Sequence, residues 1–266
     1  PYSAYVVYQL AKRTKENHVN QAAIRLMVVF LSIMVPSVVC AHSLSLEVKD
    51  KYLVGKGITL YDGPVIQTNL TIDLPKGFYL GLFGSKSADS SDFTGNFGNE
   101  VDYTVGWSGI VRNFRLDFGV SYFDIAKVFS TRGGDAVQMY GEVGRDIILN
   151  GHNTLTPYMR TEMYIPVGKW QGDARAGAHV FVGVKNQWRV YEYMTLNQRL
   201  AVMYDTGTFV ASDRGFLGHY DLDVSWNLTK ALSMSLPTFK LIFPISSLND
   251  GRGVEHMVGG GLNFKF

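Results

Sequence analysis

The feature that most constrains this chain is a side-chain period of two, repeated through most of its length. From Leu217 to Thr229 the residues sort by parity. Tyr220, Leu222, Val224, Trp226 and Leu228 fall on one face, and His219, Asp221, Asp223, Ser225 and Asn227 on the other. Successive side chains of a strand point to opposite faces, whereas a helix would mix the two sets. The same sorting recurs at 65–74, 99–109, 112–123, 154–165, 174–185 and 193–205. Weaker versions lie at 43–54, 78–84, 136–147 and 232–245, and a last one at 254–266. That makes about twelve strands of roughly ten residues, the even number and the length expected of single-chain barrels that cross a hydrocarbon core at a tilt.

The connections between these segments alternate in length. Pro75-Lys76-Gly77, Ile110-Val111, Asn150-Gly151-His152-Asn153, Asn186 to Tyr191, and Lys230-Ala231 are short. Gly55 to Pro64, Ser85 to Gly98, Asp124 to Asp135, Pro166 to Asp173, Thr206 to Gly215, and Ser246 to Gly253 are longer, and most are rich in Gly, Ser, Asp or Pro. Tight periplasmic turns alternating with longer extracellular loops place both ends of the barrel domain in the periplasm. A β-sandwich gives no reason for that rhythm.

One apolar run precedes the strands, Ala22 to Ala41. Its centre, Leu26 to Val35, is short for a membrane span, and Pro36 breaks it. Lys12, Arg13, Lys15 and Arg25 lie upstream or at its start, and Ser37, Cys40 and Ala41 supply small residues after it. A positive leader, short apolar stretch and small-residue site describe a secretory signal peptide. The expectation is a signal at 21–41 cut after Ala41, an upstream segment 1–20 outside the mature protein, and a barrel over 42–266. A retained anchor helix is the alternative. Cys40 is the sole cysteine, and Val39 before it departs from a lipoprotein signal. Cleavage after Ala41 leaves a mature chain without thiols, suited to an oxidising compartment.

Alternation alone also fits a soluble barrel with an apolar interior. The apolar run, the turn rhythm and the chain end argue instead for an apolar exterior facing lipid. On that face formal charge is almost absent, and Tyr103, Trp107, Tyr122, Tyr204, Tyr220 and Trp226 recur, several near strand ends. Tyr and Trp favour the membrane interface because the ring is apolar and its polar handle stays wet. The final residues place Leu262, Phe264 and Phe266 on one face. An apolar alternation ending on an aromatic resembles the signal read by the outer-membrane assembly machinery, which pairs with such a strand by β-augmentation.

A family resemblance covers about 43–123. Lys51-Tyr52 before Gly57-Ile58, then Pro64-Val65-Ile66-Gln67, Gly77-Phe78-Tyr79, Gly84-Ser85 and Glu100-Val101-Asp102 follow in the order and approximate spacing of the TorF-type porin family of Gram-negative outer-membrane proteins. Lys56 and Thr59 depart from the Arg and Ser usual there. The resemblance implies an outer-membrane β-barrel and leaves the solute open.

The opposite parity predicts the lining. Candidate pore-lining residues are Asp102, Arg115, Asp117, Glu142, Arg160, Glu162, Arg175, His179, Arg199, Asp221 and Asp223, with both signs interspersed. Buried charges must pair or stay hydrated. Two pictures satisfy that, a wet pore for small polar or ionic solutes, or a paired network filling a non-conducting barrel that anchors or binds through its loops. An outer-membrane hydrolase is a third class. His18, His42, His152, His179, His219 and His256 are the histidines, and none lies in a serine–histidine motif or a metal spacing. No catalytic residue, metal or cofactor is expected. Net charge of +2 gives no reason to expect nucleic acid as a partner. The expected partners are outer-membrane lipid, the assembly machinery and small solutes. Asp89 and Asp92, among serines in the 85–98 loop, offer a conceivable calcium or receptor contact beside the simpler picture of a solvated loop.

Overall fold

The computed structural model describes residues 42–88, 98–125, 134–167, 174–209, 214–245 and 252–266. The signal-peptide and upstream-segment expectations fall outside these residues, as do Asp89 and Asp92.

Twelve strands form one closed antiparallel barrel. In chain order the elements are β1 (His42–Lys49), β2 (Tyr52–Val54), β3 (Ile58–Tyr61), β4 (Val65–Asp73), β5 (Phe78–Ser87), β6 (Glu100–Val111), β7 (Phe114–Ile125), β8 (Asp135–Gly144), β9 (Ile147–Asn150), β10 (Asn153–Val167), β11 (Gly177–Tyr191), β12 (Met194–Thr206), β13 (Arg214–Asn227), β14 (Leu232–Pro244) and β15 (Glu255–Lys265). All but β2, β3 and β9 are staves of the barrel, each paired with its two neighbours. The ring closes where β1 meets β15, with Leu44 opposite Phe264 and Leu46 opposite Leu262. Closure satisfies every backbone row and leaves no sheet edge, which a span through lipid requires.

Parity sets the two faces. Val105, Phe118, Val182 and Leu200 point outward and remain 57%, 47%, 60% and 54% exposed in the folded chain. Water would not tolerate so wide an apolar belt on a monomer, so this is the surface of a transmembrane barrel. Cross-strand register keeps the belt continuous, for example Met159 opposite Val182, Val182 opposite Val202, and Leu200 opposite Tyr220.

Two tight turns differ from the sequence expectation. β6 runs through Val111, and the turn is Arg112-Asn113, with φ of 49° and 71°. A two-residue hairpin turn that follows strand twist needs left-handed backbone at both positions, and Asn tolerates it while β-branched Ile110 and Val111 do not. β11 likewise continues past Asn186 to Tyr191, and Glu192-Tyr193 make the turn. Asn186 and Gln187 are polar yet belong to the ladder, donating to Gln198 at 3.2 Å and Asn197 at 3.3 Å. At Pro75–Gly77 the turn is as expected, with Lys76 and Gly77 left-handed and the Trp107 indole donating to the Lys76 carbonyl at 2.9 Å.

The largest departure is at 50–64. Sequence parity carries a strand to 54, whereas β1 stops at Lys49. The Asp50 N–H donates to the Val258 carbonyl, and the Asp50 carboxylate accepts from the Val258 N–H. The chain then turns back as the hairpin β2–β3, separate from the barrel sheet. Gly57, left-handed at φ 73°, lets the hairpin reverse, and a Cβ there would come within 3.1 Å of Ile242.

Candidate functional site

The inward side chains divide the barrel into two unlike walls toward the long-loop end. On β10 to β15, Tyr158, Phe181, Ala201, Met203, Leu217, Ile242 and Met257 are buried as one apolar cluster. The eighth member is Leu53 of the hairpin, 3% exposed. An interior position next to polar neighbours is a poor place for these side chains unless something apolar covers them, and Leu53 does. His219 is embedded in the same wall, its ring 5.4 Å from Phe181 and edge-on to it. The facing wall, on β4 to β8, is mainly polar, burying Gln67, Ser85, Ser87, Glu100, Asp102, Ser121, Asp135 and Gln138.

The hairpin is tied to both. The Lys56 ammonium donates to the Thr208 carbonyl at 3.0 Å and lies 5.5 Å from the centre of the Phe209 ring. Arg252 donates to the Lys56 carbonyl at 2.6 Å. The Thr59 hydroxyl donates to Glu255 at 3.0 Å, and Lys51 stands 3.6 Å from the same carboxylate. Toward the polar wall, the Tyr52 hydroxyl donates to Glu100, and its ring packs at 6.4 Å from Phe83.

Below the hairpin the charges form a connected series. Lys185 pairs with Glu142, and Glu142 lies 3.7 Å from Arg160. Arg160 donates to Glu162 at 2.7 Å and stacks over Tyr140 at 4.5 Å. Glu162 also accepts from Tyr164 at 2.8 Å, and stands 3.6 Å from His179. The other nitrogen of His179 is 3.6 Å from Asp205, which pairs with Arg252 at 3.3 Å. Asp205 further accepts from the N–H groups of Gly207 and Thr208, both at 2.8 Å. A run of acidic and basic side chains, with His179 between two carboxylates, therefore links mid-barrel Lys185 to the hairpin carbonyl of Lys56. Each buried charge faces its opposite, which limits the desolvation cost of placing it there.

The predicted lining residues fall into three groups. Glu142, Arg160, Glu162 and His179 belong to the connected series. Arg199 pairs with Asp221, Asp117 accepts from Tyr79 at 2.8 Å, and Asp223 accepts from Ser225 at 2.5 Å and Asn197 at 3.3 Å. Asp102 is buried at 8% exposure beside Glu100 on the polar wall. Two sit elsewhere. Arg115 is at the turn end, its side chain 64% exposed and 3.3 Å from Asp146. Arg175 precedes β11, donating to the carbonyls of Gly207 and Thr206 at 3.1 Å each, and so pins a connection. Of the proposed assembly residues, Leu262 and Phe264 lie in the β1–β15 seam, and the Phe266 N–H donates to the His42 carbonyl at 2.9 Å.

Sequence reasoning missed Tyr52, Lys56, Glu100 and Arg252. Glu100 shares the parity of Asp102 and was within reach of that argument. The others sit in stretches that parity assigns to a strand end or to loops. Toward the turn end the structure also has a recess of about 420 Å³, lined by Ser43, Ser45, Asn69, Thr71, Ser233, Asn263 and Lys265 with Leu44 and Phe264.

No family model matches the sequence. No curated protein matches it either. Solved structures do match the fold. The NanC porin aligns with a TM-score of 0.52 at 11% identity, over 84% of this chain and 100% of that one. The KdgM porin, solved in complex with disordered oligogalacturonate, aligns with a TM-score of 0.51 at 11% identity, over 85% and 99%. The transport unit of the autotransporter AIDA-I from Escherichia coli aligns with a TM-score of 0.51 at 13% identity, over 91% and 96%. At such identities the likeness concerns architecture, and the architecture of this chain is that of a twelve-stranded transmembrane β-barrel.

Proposed function

We propose that this protein is an exported outer-membrane barrel through which small polar or ionic solutes pass passively, along a lumen carrying both signs of charge. The observation that carries this is the pairing of an apolar outer belt with an inner face of ionised side chains, from Lys185 and Glu142 to Arg199 and Asp221. In a barrel of this strand number the interior is intermediate between filled and channel-forming sizes. Opposed acidic and basic side chains there set a transverse field and a weak ion preference. Asp102, Arg115, Asp117, Glu142, Arg160, Glu162, Arg175, His179, Arg199, Asp221 and Asp223 are the proposed lining. Membership of the TorF-type family is part of the proposal, supported by the motifs at 51–102. Leu262, Phe264 and Phe266 are proposed as the strand read by the assembly machinery.

The hairpin favours a second reading, a non-conducting barrel that anchors or binds through its loops, because β2–β3 occupies interior space. Purified protein in a planar lipid bilayer separates the two. Discrete current steps are expected, and their absence across salt and voltage conditions defeats passive passage. Lipid turnover in detergent micelles tests the hydrolase class, with no turnover expected.

A further inference from the structure

Twelve staves in a ring place β6 and β13 six positions apart in either direction, so they face each other across the lumen. Hairpin β2–β3 touches both. Leu53 is clustered with Leu217 of β13, and Tyr52 donates to Glu100 of β6. The hairpin thus crosses the barrel as a bar.

Its two attachments differ in kind. Toward β12 to β15 it is fixed many times over, by the burial of Leu53, the approach of Gly57 to Ile242, the Lys56 bond to Thr208, the Arg252 bond to Lys56 and the Thr59 bond to Glu255. Apolar burial and three hydrogen bonds, one buried and two part-buried, act together there, and losing one leaves the rest. Toward β5 and β6 it reaches through Tyr52, by a hydroxyl bond to Glu100 and a ring contact with Phe83. An element seated in an apolar cluster at one side and meeting a polar wall at the other divides a channel unequally. The wall behind Tyr52 is the polar one, with Gln67, Ser85 and Asp102, the side on which hydrated solutes lose least by leaving bulk water.

We propose that hairpin β2–β3 is the size filter of this channel, and that the Tyr52–Glu100 hydrogen bond is the latch closing the gap between the filter and the β5–β6 side of the wall. The proposal rests on the conducting reading above. Tyr52 acts as a specificity-determining residue by its bulk and its bond, and Glu100 acts through Tyr52 by holding it across the gap.

The test compares wild type with Tyr52→Phe, Tyr52→Ala, Glu100→Ala and a variant whose residues 52–61 are replaced by a glycine–serine linker. Readouts are single-channel steps in planar bilayers and uptake of sugars of increasing size into protein-containing liposomes. Circular dichroism of each variant confirms the β-barrel first. Tyr52→Ala and Glu100→Ala are expected to raise unit conductance about twofold or more, in the manner of any widened constriction, and to admit larger sugars. The linker variant should exceed both. Tyr52→Phe keeps the ring and loses the bond, so it should flicker between wild-type and raised levels. Wild-type conductance and size limit in folded Tyr52→Ala and linker variants overturn the filter and leave the channel standing. Silence from every protein, the linker variant included, overturns the channel itself. Steps seen only once Tyr52 or the hairpin is removed support the latch and show that wild type rests closed.

Discussion

The two walls of the upper lumen are built from the same alternating strands, yet they do different work. On β10 to β15 the inward positions include Phe181, Met203, Leu217 and Ile242, which are buried together and give the hairpin a seat. On β4 to β8 the corresponding positions are Ser85, Glu100, Asp102 and Gln138, which stay polar and face the hairpin through Tyr52. Apolar inward residues are an anomaly in a water-filled barrel, so their grouping marks where a second element docks. The apolar wall should therefore carry the stability of the hairpin, and the polar wall should carry little of it.

Substitutions can break or sharpen that contrast. The largest effect is expected from Leu217→Asp, which puts a carboxylate into the seat without a partner. It should cost about 3 kcal/mol or more, read as a lowered urea midpoint in lipid vesicles. If the midpoint stays put, the seat is wet and the contrast fails. Phe181→Ala comes next, at about 3 kcal/mol, for an aromatic truncated in a packed cluster. Its signature is protease cleavage within 50–64 that wild type resists. Arg252→Ala should cost about 2 kcal/mol, because it removes both the cation facing the buried Asp205 carboxylate and a donor to the Lys56 carbonyl. Hydrogen exchange should accelerate at the amides of 52–61 before it does in the staves, and uniform protection there would show that the charge series does not hold the hairpin. The smallest effect belongs to the polar wall. Ser85→Ala removes a hydroxyl that donates to the Gly98 carbonyl at 2.9 Å and accepts from Gln67 at 3.4 Å, and should cost about 1 kcal/mol, with hairpin exchange unchanged.

Parity made the staves legible because it is imposed by the solvent on each side. A strand with lipid outside and polar groups inside has to alternate, and β13 shows this from His219 to Asn227. The same rule misplaced Tyr52-Leu53-Val54. These residues also alternate, and a short hairpin inside the barrel needs an apolar and a polar face just as a stave does. What separates the two cases is the partner, since Leu53 joins the buried cluster of Leu217 and Ile242 where a stave residue at its parity would meet lipid or lumen water. That information is spread over residues nearly two hundred positions away. The ion series is hidden for a related reason. Parity names Arg160, Glu162 and His179 as inward, but Arg252 enters from a connection, where no period applies. Arg175, of lumen parity just ahead of a strand, directs its guanidinium to the carbonyls of Thr206 and Gly207, partners that parity does not reveal.

The seam between β1 and β15 has a consequence for the order of events during assembly. The register joins Ser43 to Lys265 and Lys49 to Gly259, the two ends of the barrel sequence. Every other stave pair joins strands that are neighbours or near neighbours along the chain and can form as soon as both are present. This pair cannot form until the last residues arrive, so a sheet of eleven staves would wait with the outer edge of β1 and the far edge of β14 open. Open edges of that length are templates for wrong partners, and contacts so distant in sequence form slowly. The slow step of folding is then the joining of the ends, and whatever shields the edge of β1 until then governs the yield of finished barrel.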